Sequence, residues 1–402
     1  MDREIRHRHR AMTDKDRLWR EWDLNGVPNP SYILHATALR SNLEVIDRVR
    51  REAGVSIIAA LKANATWAVF PLIRQYCDGA TASSLSEARL VYEEMGVKAH
   101  TYAPVYTDED IDGIIECSSH ITFNSLSQYA RHGMKARKAG ISCGLRVNPE
   151  HSTVETALYD PSSPQSRLGI RSADLPVLPD GIEGLHFHSL CESRPSDLRQ
   201  TLAALEERFG HLLPKVKWLN MGGGHLMTHA DYDEDELISI LRDFRSRHPH
   251  LKVILEPGSA FTWDTGVLLS RVEDIVCNGG RRTMMLNVSF ACHMPDCLEM
   301  PYQPEIIGMH KSADGEEGWY MGGNSCLAGD TYGAWNFDDE GHQPSVGDNV
   351  VFRDMIHYTM VKTTMFNGVS HPSIIIYDPA TGYSKVREFG YMDYKQRMGA
   401  LP

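Results

Sequence analysis

Residues 57–70 read IIAALKANATWAVF, an apolar, β-favouring run that is broken by Lys62. An amine after such a run is either a surface lysine opening a loop or one position on a functional rim, and the rest of the chain decides between them. Short apolar or β-branched runs recur at VSIIAAL (55–61), GATAS (79–83), AHTYA (99–103), HITF (120–123), SCGLRV (142–147), EGLHFH (183–188), VKWLN (216–220) and KVILE (252–256). Between most of them lie stretches such as SSLSEARLVYEEMG (83–96), SLSQYARHGMKARKAG (125–140) and DLRQTLAALEERFGHLL (197–213). Their apolar residues fall at three- and four-residue spacing, the mark of helices covering a sheet. Alternating strand and helix predicts parallel strands joined by crossover helices. About eight such strands favour a closed (β/α)8 TIM barrel over an open sheet.

After residue 260 the pattern changes. GVLLSRVEDIV (266–276), TMMLNV (283–288), DNVVFRD (348–354), YTMVKTTMF (358–366) and SIIIYD (373–378) are strand-like, separated by Gly, Pro and Asp turns. They predict a second, mostly β domain. The charged residues 1–27 read as a peripheral or mobile helical extension, and NGVPNPSYIL (25–34) opens the folded body. The expected division is therefore 1–27 extension, 28–265 barrel and 266–402 β domain, with a first strand near 30–36 able to join the latter.

The chain has 402 residues, 42% of them hydrophobic and 23% charged, the balance of a soluble globular protein with more than one domain. A net charge of −12 argues against a nucleic-acid backbone as partner and suits a cationic small molecule. No apolar run reaches the roughly 18 residues of a membrane span, so no membrane partner is expected. The N-terminus lacks the apolar core of a secretory signal. Eight cysteines without CxxC spacing read as reduced thiols of a cytoplasmic protein. Cys292, His293 and Cys297 in CHMPDC lack a second ligand pair at zinc-like spacing, so no metal is assigned.

A barrel carries its chemistry at the C-terminal ends of its strands. Those ends hold Lys62, Ser83 and Ser84, Arg146, His188, Gly222–Gly224 and Glu256. The glycines of LNMGGGH (219–225) let backbone N–H groups approach an anion; otherwise they form a tight turn. An amine facing a phosphate cradle suggests pyridoxal 5'-phosphate held as a Schiff base on Lys62, whose neutral form a desolvated rim favours. Glu256 would then pair with the pyridine nitrogen, the alternative being an ion pair that closes the barrel. His188 reads as a ring-stacking residue or as a hydrogen-bonded core histidine. With Ser84 and Arg146, these residues make up the expected cofactor set.

From about Pro30 to Gly368 the chain resembles the fold-type III pyridoxal-phosphate decarboxylases, which include ornithine, arginine and diaminopimelate decarboxylases and alanine racemase. Within that group it is most similar to the carboxynorspermidine/carboxyspermidine decarboxylases. The resemblance rests on ALKANATWAVFPL, TASSLSEARL, ITFNSLSQ, GLRVNPE, SRLGI, HFHSLCE, MGGGH, EPGSAF, CHMPDCLEMPYQP, NSCLAGD and YTMVKTTMFNG. It implies catalytic roles for Lys62 and Cys326, with Cys326 returning a proton to carbon after CO2 leaves. It places Tyr358 near the cofactor phosphate. It implies a homodimer with shared active sites, NSCLAGD reaching the neighbouring subunit, and Asp330 facing substrate amines. By composition alone Cys326 is a small buried hydrophobe.

Asp296 and Glu299 suit the ammonium groups of a polyamine-like substrate, or are solvated loop carboxylates. Within the resemblance, Ser259 matches a candidate substrate-binding position where other members carry Glu, and Asn287 stands where an acidic residue is expected. The implied activity is decarboxylation of carboxynorspermidine or carboxyspermidine to norspermidine or spermidine. The rivals are a diaminopimelate or other basic amino-acid decarboxylase of the same fold and, from another class, a non-catalytic pyridoxal-phosphate homeostasis protein.

Overall fold

A computed structural model of the chain describes residues 22–153 and 160–399. Arg40–Trp263 forms one compact unit; the described residues before Arg40 and from Asp264 onward form the other. The first strand, β1 (Ser31–His35), lies in the second unit. The division thus falls at Arg40, not at the expected residue 28. Its cause is pairing: every residue of β1 has a partner in the second unit's sheet.

Arg40–Trp263 holds β2 (Ser56–Ile57), β3 (Ala59–Ala60), β4 (Ala80–Ala82), β5 (Ala99–Tyr102), β6 (Ser118–Phe123), β7 (Ser142–Arg146), β8 (Ile182–His186), β9 (Trp218–Asn220) and β10 (Lys252–Leu255). All neighbours are parallel, in the order β2-β10-β9-β8-β7-β6-β5-β4-β3. β2 and β3 are two halves of one strand interrupted at Ile58. The first half pairs with β10 and the second with β4. The nine pieces therefore close into an eight-stranded ring, as the strand–helix rhythm predicts.

Two of the helices start on the same device. Ser84 caps the helix Leu85–Leu90 by accepting from Glu87 N–H, while the Glu87 carboxylate takes Ser83 N–H. Ser125 and Gln128 repeat this at the helix Leu126–Lys138, with Gln128 accepting from Asn124 N–H. Each satisfies orphan donors of the first turn and fixes the angle at which the chain leaves the strand end.

Inside the ring, Trp218 lies over strand positions that have no side chain. Gly144 pairs with Gly184, and Gly184 with Trp218, across three neighbouring strands. A Cβ on Gly184 would sit 2.0 Å from the indole, and one on Gly144 would sit 2.2 Å from it. The indole Nε1–H donates to Ser142 Oγ at 2.9 Å, and His120 meets the ring edge-on.

The second unit contains β11 (Gly266–Asn278), β12 (Arg281–Leu286), β13 (Met309–Lys311), β14 (Trp319–Gly322), β15 (Thr331–Phe337), β16 (Asn349–Arg353), β17 (Ser373–Asp378) and β18 (Gly382–Arg387). Their order is β13-β15-β14-β12-β11-β1-β17-β18, with β16 also on β11. Ile33, Val267, Leu269 and Ile375 make its core, and Val27, Trp22 and Leu24 pack against them. Residues 22–27 are thus part of this unit rather than of a peripheral extension, whose residues 1–21 lie outside the described ones. Tyr358–Val361, expected as strand, is a helical turn closed by Met360 N–H on His357 O.

Replacement of Gly184 by Ala should lower unfolding stability by about 2–3 kcal/mol, because the methyl has no room beneath Trp218. A urea midpoint unchanged from wild type would contradict this packing.

Candidate active site

Lys62 follows β3 and is half-buried. Burial lowers its pKa most; the Glu256 carboxylate opposes that, and the Arg146 guanidinium adds to it. The net direction favours the neutral, nucleophilic amine. Arg146, the last residue of β7, is itself buried. Its Nη2–H donates to His188 O at 3.0 Å, and its guanidinium lies 4.7 Å from the Tyr102 ring centroid.

Glu256 follows β10 and is buried. Burial raises its pKa, while Lys62 and hydrogen bonds from Asn220 and Thr81 pull it back. Asn220, the last residue of β9, accepts Gly222 N–H on Oδ1 at 2.9 Å, which fixes the orientation of its amide. Its Nδ2–H therefore faces Glu256, donating to Oε1 at 2.6 Å. In the same way Gly223 N–H donates to His188 Nδ1 at 3.0 Å. Burial holds the His188 pKa well below its ordinary value, so the ring is neutral with its proton on Nε2.

The glycine loop is tighter than expected. A Cβ on Gly222 would come 2.5 Å from Phe187 O, and one on Gly223 would come 2.5 Å from Glu256 O. These glycines let the exits of β8, β9 and β10 converge. Two of the three N–H groups expected to cradle an anion are donated inside the protein instead, to Asn220 and His188. Ser84 Oγ is likewise engaged as a helix cap, which leaves its own O–H to donate. Ser259 is half-buried and begins the short helix Ser259–Thr262.

The expectations that fall on the second unit form two groups. Asp296 and Glu299 both accept from Lys362 Nζ, at 2.6 and 2.7 Å. Each is thus ion-paired within the protein. Lys362 lies four residues beyond Tyr358, 6.0 Å from its ring centroid. Cys326 is exposed, with its N–H held by Asn367 Oδ1 at 2.8 Å. Asp330 is buried and accepts from Ala291 N–H, Ser325 N–H and Ser325 Oγ–H. These bonds tie it to Ser325, the neighbour of Cys326, and to Ala291 in the helix Phe290–His293. Asn287 Nδ2–H donates to Asn29 Oδ1 at 2.9 Å. Cys292, His293 and Cys297 are buried in the unit.

His186 is the residue that sequence reasoning missed. It ends β8 two positions before His188, and that spacing puts both on one strand face. Ligand-capable atoms of His186, His188 and Glu256 lie within 4.8 Å of one another. A metal ion there would face the nearby amine and guanidinium, which oppose a further cation. Asn220 was missed for a plainer reason: an asparagine at a strand end carries no distinctive signal.

No family model matches the chain. It is 47% identical over 378 residues to the carboxyaminopropylagmatine decarboxylase of Synechocystis sp., spanning 94% of this chain and 97% of that protein. It is 38% identical over 383 residues to the carboxynorspermidine/carboxyspermidine decarboxylase of Campylobacter jejuni, spanning 92% and 98%. The crystal structure of C. jejuni carboxynorspermidine decarboxylase complexed with norspermidine superposes with a TM-score of 0.85 at 37% identity, over 92% of this chain and all of that one.

Burial pushes the His225 pKa from 6.5 down to about 4. An unfolded chain takes up that proton near pH 6.5 while the folded one does not. The stability is therefore complete above pH 6.5 and is lost as pH falls toward 4. Urea midpoints of wild type should fall in that window, and those of His225→Leu should fall less, by up to ~3 kcal/mol for this one group. Identical pH profiles would contradict its burial as the neutral form.

Proposed function

Because this chain belongs to the family of carboxynorspermidine/carboxyspermidine decarboxylases, enzymes of polyamine biosynthesis, we propose that it uses pyridoxal 5'-phosphate to remove the α-carboxylate of carboxynorspermidine or carboxyspermidine. Decarboxylases of this fold-type III class are generally dependent on that cofactor. The rim fits the group. It offers a half-buried amine biased toward its neutral form, a buried carboxylate, a buried guanidinium, and an imidazole whose proton position is fixed. The observation that carries the reading is the nearness of Lys62 and Glu256 in a desolvated place, each shifting the other's pKa.

When bound, pyridoxal phosphate supplies a sink for the electron pair released as CO2 departs. Lys62 would hold it through its amine, which burial biases toward the neutral form. Glu256 would face its ring nitrogen, held in place by Asn220. Arg146 adds positive potential beside Lys62 and, through His188 O, ties the ends of β7 and β8 together. His188 would lie against the ring, with its Nδ1 tied to Gly223. Ser84, the Gly222–Gly224 loop and Tyr358 are proposed for the phosphate. Within the loop, that role falls chiefly on its third residue, since the first two N–H groups are engaged.

Cys326 is proposed to return the proton to carbon, acting across a homodimer on a loop that Asp330 holds. Asp296, Glu299 and Ser259 are proposed to meet the substrate's polyamine tail, with Lys362 as an integral part of that acidic loop. The protein is proposed to be cytoplasmic; among the described residues no helix is long and apolar enough to cross a membrane, and its eight cysteines lack CxxC spacing. A second reading, carboxyaminopropylagmatine as substrate, is favoured by the 47% identity to the Synechocystis decarboxylase.

Purified protein loaded with pyridoxal phosphate should release a polyamine from at least one of carboxynorspermidine, carboxyspermidine and carboxyaminopropylagmatine. It should leave meso-diaminopimelate and ornithine intact. Chromatographic product analysis decides, and lysine or putrescine as sole product would overturn the substrate class. Lys62→Ala should cut kcat to below about a thousandth of wild type. Full activity in that variant would refute the role of the amine.

A further inference from the structure

His186 is buried to 1% exposure, yet neither ring nitrogen has a hydrogen-bond partner. That is costly. A buried imidazole with both nitrogens unpaired forfeits the hydration of two polar atoms, and a phenylalanine would fill the same space without that loss. Polar atoms kept at such a place need a partner that the ring can reach. The surroundings leave few. Tyr102 meets the ring edge-to-face at 5.3 Å between centroids, which is an apolar contact. On the other side Nε2 lies 3.6 Å from Glu256 Oε2, a little beyond hydrogen-bonding distance.

The two oxygens of Glu256 are not equivalent. Oε1 takes the short bond from Asn220, whose amide cannot flip because Oδ1 accepts Gly222 N–H. Oε2 is the oxygen that faces His186. Active-site hydrogen bonds that are long in a ligand-free protein tighten when the ligand is seated.

We propose that His186 is a positioning residue for Glu256, donating from Nε2–H to Oε2 while Asn220 holds Oε1, so that the carboxylate is clamped from both sides when it engages the cofactor. Burial supports this, because it holds the His186 pKa well below its ordinary value. A neutral ring can put its single proton on Nε2, leaving Nδ1 without one. The assignment also gives a physical reason for the HFH spacing (186–188). One histidine of the pair serves the carboxylate, and the other is fixed by the glycine loop.

The inference rests on the reading that pyridoxal phosphate binds against Glu256. The test is a double-mutant cycle on cofactor affinity, read by titrating the apo-protein with pyridoxal phosphate and following protein fluorescence. His186→Leu removes the donor, and the dissociation constant should rise about ten- to a hundredfold, as for loss of a hydrogen bond to a buried charge. His186→Gln places an N–H near the original Nε2 and should stay within about threefold of wild type. In the Glu256→Gln background, His186→Leu should add less than about threefold, because the bond it removes is no longer charge-assisted.

Equal losses with and without the Glu256 carboxylate would overturn the proposal, as would failure of Gln to rescue. Should His186→Leu not fold, His186→Asn takes its place, since its amide is too short to reach Oε2 and should weaken binding alike. A wild-type protein that takes up no pyridoxal phosphate would defeat the functional reading itself. Normal uptake with an additive cycle would defeat only the assignment of His186.

Discussion

The organising constraint of the barrel unit is the burial of a carboxylate. Glu256 sits where water is scarce, and a lone anion there would take up a proton. Much around it offsets that cost. Asn220 donates to it, the ammonium form of Lys62 and the Arg146 guanidinium favour its charged state, and His186 stands at its second oxygen. The same charges act in reverse on Lys62, where burial and Arg146 outweigh Glu256 and bias the amine toward neutrality. One desolvated place thus yields a nucleophile and a prospective anion together, a combination that neither residue would reach in water.

This balance depends on backbone that arrives without slack. The ring closes because its first strand is split at Ile58 and pairs on both sides. The exits of β8, β9 and β10 converge because Gly222 and Gly223 carry no Cβ. The N–H groups of those glycines then serve as fixed points for the side chains of Asn220 and His188. The glycine loop is thus a jig for the carboxylate and the imidazole before it is an anion cradle.

The parts of this that were legible in the sequence are those with a period. Strand–helix alternation gave the barrel, and the ends of its strands gave Lys62, Arg146, His188 and Glu256. What stayed hidden depends on partners far along the chain. Nothing local to HMPDCLEM shows that Lys362, more than sixty residues later, joins Asp296 and Glu299. Nor does GNSCLAGD show that Asp330 turns back onto Ser325 and Ala291. The strand-like reading of YTMVKTTMF failed because β-branched and apolar composition does not reveal which backbone bonds close; at Tyr358–Val361 the local helical turn wins. His186 had a signal, the two-residue spacing to His188, whose meaning depends on which face of the strand looks into the ring.

The acidic loop sharpens the question of what tail the substrate carries. Two carboxylates that share one ammonium present a single net negative charge, not two. Asp296 is the more enclosed, its side chain 13% exposed, so that separating it from Lys362 would leave a partly desolvated anion unpaired. Glu299 is 54% exposed and is the cheaper of the two to redirect. In the proposed reading, recognition by this loop would fall chiefly on Glu299, with Asp296 and Lys362 as its fixed support. One exposed carboxylate accepts a terminal ammonium or, in a bidentate fork, a guanidinium. That is the difference between the tails of carboxyspermidine and of carboxyaminopropylagmatine, and on this geometry the charge of the loop does not separate them.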